Sequence, residues 1–450
     1  DYGPLQGALN LAVTNTIGAF LTLGGIALLY AQTGALNMAE IGQSLTTHPA
    51  GNHFLLLAFL FVVAGFLVKA AAVPFHFWLA DAHAVAPTPV CILFSGVMVE
   101  LGLYATARVY WMVFASALGP SHAVRMLLLT IGVLTAVVGA VECPGQRHLK
   151  RLLAFSTISH MGIMFCGIAM LDGDGMAGTA MYLLGHGLIK GSLFACAGIL
   201  LHRFEEVDEH DLHGVGRDMP YTGILVAIGA LGLAGLPPFG NFFGTAMIED
   251  AAREHYPWMP WLIIFASAMT AGAVLRLAAR VFLGWGERMP TADTGSESLP
   301  PERESGSESD HTPALMWCAA AALLLFSLLV CTPTPFRESI VKHVERFQQP
   351  TEFAATVLKG ESMPSVTPHH VPALPPVCHA LIAVVLAVLL TARALWPHRP
   401  SWVFGEISRF TLRIAREPLR GLHSGRVGDY VAWFIFGIAA YGGLLLLVRP

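Results

Sequence analysis

Apolar runs of about twenty residues recur along nearly the whole chain, separated by short polar connections. A helix needs about 20 predominantly apolar residues to cross about 30 Å of hydrocarbon. Eleven runs approach or exceed that length, at roughly 8–30, 53–75, 90–115, 122–142, 152–171, 177–201, 221–246, 258–284, 313–331, 376–395 and 430–448. The strict alternation of a lipid-facing barrel is absent, and lipid satisfies no backbone donor, so each run is read as a helix. The predicted fold class is all-α, a polytopic transmembrane bundle of about eleven spans.

Composition agrees. Hydrophobic residues make up 55% of the 450 and charged residues 12%, against about 25% charged in a soluble domain. Mean hydropathy is +0.61. The formal net charge of −4 carries no basic excess for nucleic acid. Cys91, Cys166, Cys196, Cys318 and Cys378 lie in or beside apolar runs, with Cys143 and Cys331 at run ends. No CxxC occurs, so the thiols are read as small packing residues, and no metal site is expected. The chain starts at Asp1, and its first apolar run lacks the basic flank of a signal peptide. It is read as a piece whose N-terminal part is missing.

Basic residues mark cytoplasmic loops. Arg147, Lys150 and Arg151 follow the fourth run, Arg203 and Arg217 the sixth, and Arg280, Arg288 and Arg303 the eighth. A dense set from Arg399 to Arg426 follows the tenth. Even-numbered loops are therefore assigned to the cytoplasm. The loop 332–374 breaks the rule with Arg337, Lys342, Arg346 and Lys359, balanced by Glu338, Glu345, Glu352 and Glu361. Residues 290–312 are polar, acidic and rich in Ser and Gly, the composition of a flexible loop. In 402–417, Val403, Ile407, Phe410 and Ile414 form one stripe and Arg409, Arg413 and Arg416 another. That pattern is an amphipathic helix for the membrane interface or for the flank of a partner subunit. Three regions follow: a core over 1–285, a loop over 286–312, and C-terminal spans over 313–450.

The chemistry lies in the few ionisable residues within runs. Lys69 is the first basic residue, near the end of FLFVVAGFLVK. A charge at the centre of a spanning helix costs about 2.5–3.5 kcal/mol on insertion scales. It either snorkels to the interface or lines a cavity and relays protons. Glu100 is the stronger anomaly, with no other charge between Asp81 and Arg108. No interface lies within reach of its short side chain, so it must be protonated, paired or hydrated, and it points to an ion or proton path. His160 sits in FSTISHMG, and His186 and Lys190, four apart and on one helix face, in HGLIKGSLF. A neutral histidine both donates and accepts, which passes protons along a chain. A lone one is otherwise a polar helix–helix contact. Gly235, Pro237, Pro238 and Gly240 interrupt an apolar run and predict a broken helix, the usual setting of transporter ion sites. Glu249 and Asp250 follow near its end, as part of that site or as markers of the outer interface. Arg276 is expected to snorkel.

The sequences VPFHFWLADAHAVAPTPV after Lys69, RLLAFSTISHMG, HGLIKGSLF and GLAGLPPFGNFFG together resemble the antiporter-like proton-channel subunits of respiratory complex I. That family also serves membrane-bound hydrogenases and multisubunit Na⁺/H⁺ antiporters. The resemblance covers residues 10–285 and implies two inverted five-helix repeats, each with a broken helix. It also implies a hydrated axis on which Lys69, Glu100, His160, His186 and Lys190 relay protons; Asp81, Thr245 and Glu249 are further candidates. The chain departs from the pattern at three points. Glu100 stands where the family has its central lysine. Thr245 stands where it has a lysine or glutamate, with Glu249 one turn on. The early helix whose glutamate pairs with the first lysine is not in this chain.

The function expected is proton translocation as a multi-pass subunit of a redox-driven complex in a bacterial plasma membrane, of NADH:quinone oxidoreductase or hydrogenase type. Flavin, iron–sulfur or NiFe centres are expected only on partner subunits. The alternative is a subunit of a multisubunit cation/proton antiporter without redox chemistry. Two further readings are a proton-channel partner for inorganic-carbon uptake and an inactive scaffold, the latter favoured by Thr245.

Overall fold

A computed structural model describes residues 2–48, 51–287, 312–360, 377–396 and 427–447. Nearly all of the acidic segment 290–312 and all of the basic amphipathic segment 402–417 lie outside the described residues. Among the described residues, eight helices are long and apolar enough to cross a membrane unaided. The chain is an integral, multi-pass membrane protein.

The first spanning helix is α1 (Tyr2–Thr33), followed by the short α2 (Met38–Thr47). The second predicted run ends earlier than its apolar composition implied. Its helix α3 (Asn52–Lys69) stops at Lys69, breaks, and resumes as α4 (Phe77–Val85). Next comes α5 (Thr88–Leu118), which contains π-helical turns at Phe94–Met98 and Tyr110–Phe114. Then follow α6 (His122–Glu142), α7 (Leu149–Ala169) and α8 (Gly173–Phe204). The predicted break at Gly235–Pro238 separates α9 (Pro220–Leu233) from α10 (Gly240–Ala252). After α11 (Met259–Leu283), the helix α12 (Ala314–Cys331) leads into α13 (Thr334–Phe347) and α14 (Pro350–Lys359). The spans α15 (Cys378–Leu395) and α16 (Val427–Leu447) complete the set.

The two breaks are copies of one backbone motif. In the first, the amides of Ala70 and Ala72 donate to the carbonyls of Phe66 and Leu67, and that of Phe75 to Ala72. In the second, the amides of Ala234 and Leu236 donate to Ala230 and Leu231, and that of Phe239 to Leu236. Ala71 and Gly235 hold matching places, with φ of 50° and 77°. This left-handed backbone is cheap for glycine and strained for alanine.

Each break is covered by a C-terminal span. Gly437 of α16 packs against Pro74, and the hydroxyl of Tyr441 donates to the Val73 carbonyl. On the second break, Ala380 and Ala383 of α15 share a cavity wall with Ala234 and Gly235.

All of α7 is buried, so it is the axle of the bundle. Its apposition to α6 depends on glycine. A Cβ on Gly162 would lie 2.5 Å from the Gly132 carbonyl oxygen, and one on Gly139 would lie 2.7 Å from the Ser159 Cα. Close backbone approach is how membrane helices gain contact where lipid removes the hydrophobic drive.

Contacts between helix ends sort into two sets, as the alternation of loops required. At one end the amide of Leu149 donates to Val207, that of Glu209 to Arg147, and Tyr430 meets Asp81. At the other, the Gln348 amide donates to the Asp172 carbonyl. Aromatic rings take up two guanidinium groups there. The Arg337 guanidinium lies over Phe243 at 4.6 Å, and Arg108 lies over Phe353 at 4.5 Å.

Replacing Gly162 by Ala should cost about 1–3 kcal/mol through overpacking, read as a lower unfolding temperature of the purified protein in detergent. Gly443→Ala, where an added Cβ meets nothing within 4 Å, should change stability by less than about 0.5 kcal/mol.

Candidate functional site

Tyr182, His186, Lys190 and Phe194 recur at four-residue intervals along α8, so they form one stripe. All four side chains are buried, and the stripe faces the polar residues of α7. The Lys190 ammonium donates to the Leu153 carbonyl at 2.9 Å and to the Ser156 hydroxyl. One turn away, His160 contacts the Tyr182 hydroxyl through Nδ1 and the Thr270 hydroxyl of α11 through Nε2 at 3.0 Å. The Thr270 hydroxyl also lies 2.8 Å from the Ala266 carbonyl. Its proton goes there, so the His160 Nε2–H donates to Thr270 and Nδ1 accepts from Tyr182.

Glu100 enters from α5, immediately after the π-helical turn Phe94–Met98. Its Oε1 lies 3.1 Å from His186 Nδ1. A Cβ at position 187 would sit 3.2 and 3.3 Å from the two carboxylate oxygens, so Gly187 leaves the space that the carboxylate fills. The ring of His186 lies 5.4 Å from that of His160, and its Nε2 has no protein partner. Glu100 also lines a groove of about 450 Å³ between α5 and α8, otherwise walled mainly by apolar residues such as Val97, Leu101, Tyr104 and Leu323. The carboxylate thus sits at the bottom of an apolar cleft, held by an imidazole.

Sequence reasoning did not single out His83 or Ser95. The Ser95 hydroxyl lies 3.2 Å from His83 Nε2 and 2.9 Å from the Thr157 hydroxyl. Thr157 in turn donates to the Leu153 carbonyl, which Lys190 also contacts. The buried row therefore continues from Lys190 through Leu153, Thr157 and Ser95 to His83. The signal available was ADAHAVAP, a histidine in the polar stretch after the first break, together with a serine inside the third apolar run.

Three basic residues differ from expectation. Lys69 does not join the row: it is exposed on the last turn of α3 and makes no hydrogen bond among the described residues. It shares the least buried stripe of α3 with Leu57, Phe61 and Gly65, while Phe59, Val63 and Leu67 face the bundle. Lys150, counted as a loop marker, is fully buried and donates to the Ala86 carbonyl at 3.0 Å. Arg276 does not snorkel. It donates to Glu209 and to the carbonyls of Pro144 and Gln146, while Arg280 reaches the other Glu209 oxygen at 2.5 Å. A carboxylate in the sixth loop supplied closer partners than water.

The remaining expected residues lie at the two ends. Asp81 accepts from Asn10 at 3.0 Å and Tyr430 at 2.8 Å, with the Arg151 guanidinium at 3.7 Å. Beside it, burial and then Arg151 and Lys150 hold the His148 imidazole down to about 3, consistent with its acceptor role towards the Arg151 amide. The Thr245 hydroxyl bonds back to Asn241 and Phe242 of its own helix, and Glu249 contacts His379 of α15. Among the described residues, no group of three His, Cys, Asp or Glu side chains is arranged to hold a metal.

Removing Arg276 leaves Glu209 buried with one cation fewer. Arg276→Ala should destabilise the protein by about 3–5 kcal/mol, measured as loss of folded protein in membranes and a lowered unfolding temperature in detergent.

The family model described as "NADH:quinone oxidoreductase/Mrp antiporter, TM" matches residues 4–270. The chain is 27% identical to a Na⁺/H⁺ antiporter subunit of Bacillus subtilis, over 79% of its own length and 68% of that protein. It is 31% identical to an NADH-quinone oxidoreductase subunit of Parvibaculum lavamentivorans, over 60% of its own length and 56% of that protein. It thus spans little more than half of the Parvibaculum protein. A chain of the Mrp complex from Dietzia sp. DQ12-45-1b shares the fold with a TM-score of 0.67 at 22% identity, covering 79% of this chain and 70% of that one. With the family model matching more than half of its length, the chain belongs to the NADH:quinone oxidoreductase/Mrp antiporter transmembrane family.

Proposed function

We propose that this chain is a proton-translocating membrane subunit of a redox-driven complex, moving protons along its buried row of ionisable and hydroxyl side chains. The observation that carries the reading is the Glu100–His186 contact of 3.1 Å, within a row that includes His160, Lys190 and His83. A buried carboxylate, two imidazoles and an ammonium are costly in a membrane unless they serve a path. The row has the parts a relay needs. Lys190 takes and loses a proton, hydroxyls of Ser95, Ser156 and Thr157 both donate and accept, and His186 has an Nε2 without a protein partner.

By the basic-residue rule, His83 and Lys150 lie towards the cytoplasm, and the row runs outward from there. Each charge moved against 100 mV costs about 2.3 kcal/mol, so the energy comes from elsewhere. Flavin, iron–sulfur or NiFe centres belong to partner subunits in this reading, and the host membrane is the bacterial plasma membrane. Similarity to an NADH-quinone oxidoreductase subunit supports the redox-driven form. The second reading is a cation/proton antiporter subunit without redox chemistry. It draws on the Bacillus subtilis antiporter subunit, which the chain matches over 79% of its length.

Glu100→Gln keeps the size of the side chain and removes its capacity to ionise. Proton translocation by the intact complex in membrane vesicles should fall by about tenfold or more, with the complex still assembled. An undiminished rate would remove Glu100 from the path. Dependence of that flux on a redox substrate separates the first reading from the second, in which an imposed sodium gradient alone drives it.

A further inference from the structure

The buried row needs an outer end, and the second break provides the materials for one. Glu249, on α10, is buried, and its Oε2 lies 2.7 Å from Nδ1 of His379. His379 is the second residue of α15, far away in the chain, and its side chain is 32% exposed. A cavity of about 20 Å³ adjoins the pair, lined by Gly235, Thr245, Ser267, Glu249 and His379. That is room for about one water.

Two connections lead from this cavity back to the row. On α11, Ser267 lines the cavity, and Thr270, one turn further, contacts both the Ser267 carbonyl at 3.2 Å and His160. On α10, Asn241 packs its backbone on Gly185, next to His186. The Asn241 side chain is fully buried, and neither its Oδ1 nor its Nδ2 has a protein partner. Such a buried amide calls for water. Ala234 and Gly235 accept none of the backbone hydrogen bonds around the break, so their carbonyls are available to the same water.

We propose that Glu249 and His379 form the outer proton outlet of this chain, with His379 as the group that exchanges protons with bulk water. The proposal rests on the proton-path reading and extends it to a residue of the C-terminal span. A proton reaching Glu249 Oε2 passes to Nδ1 of the neutral ring while the Nε2 proton leaves to water. Glu249 is then a carboxylate accepting from Nδ1–H, and no net charge remains on the ring. Rotation of the partly exposed ring exchanges its two nitrogens and resets it. Thr245, on the same helix, releases no proton near neutral pH, because an alcohol does not ionise there; its hydroxyl bonds the carbonyls of Asn241 and Phe242.

The test uses the whole complex in sealed membrane vesicles, with proton flux followed by a pH-sensitive dye. His379→Ala should lower flux about tenfold or more, and millimolar imidazole on the outer side should restore a large part of it. His379→Gln keeps an amide donor beside Glu249 but carries no proton. It should assemble, even if the alanine variant does not, and be equally slow. Wild-type flux in His379→Gln overturns the proposal. So does a loss in His379→Ala that imidazole leaves unchanged, since that is the behaviour of a packing residue. Glu100→Gln measured alongside separates the two claims. If it is slow while the His379 variants are normal, the outlet fails and the path stands; if it is normal too, the path itself fails.

Discussion

Hydrocarbon offers no hydrogen bonds, so every polar group that this chain carries into the membrane must be answered by another part of the protein or by enclosed water. Most features of the structure follow from that demand. The two breaks expose backbone in mid-bundle, and each is covered by a C-terminal helix. Glu100 is answered by His186, Lys190 by a carbonyl and a hydroxyl, and Glu209 by two guanidinium groups. Among the buried groups without a protein partner, Asn241 and His186 Nε2 lie where a transport path would hold water.

The same demand explains why α7 is buried at every position. The helix supplies His160, Ser156, Thr157 and the Leu153 carbonyl from one face, and its opposite face carries Ser159, Gly162 and Cys166 against α6. Glycine at 139 and 162 then brings α6 close enough to seal the far side. Packing and chemistry are joined there: the tight α6–α7 contact fixes the distances along the polar row.

Much of this was legible in the sequence. Glu100, His160, His186 and Lys190 stood out because charge inside an apolar run is costly, and the structure brings these four together. The break at Pro237–Pro238 was equally readable, since proline frees backbone groups whatever surrounds it. Partners were not readable. Arg276 meets a loop carboxylate, and Glu249 meets a histidine from a distant span, pairings that leave no local pattern. The face that Lys69 presents was not readable either. Position along an apolar run sets depth, while the face of the helix sets surroundings, and an apolar helix such as α3 gives no amphipathic stripe from which to read its face.

The covering of both breaks by α15 and α16 also bears on the order in which the protein can be completed. Chains emerge from the ribosome N-terminal end first, so both broken helices enter the bilayer before residues 378–447 exist. During that interval the carbonyls around Val73 and Gly235 have neither Tyr441 nor the wall of α15 beside them. The core can thread the membrane early, but its two interrupted helices are sealed only when the C-terminal spans arrive. Biogenesis therefore closes on these helices, and a chain stalled before them would sit in the bilayer with its polar interior still open to lipid.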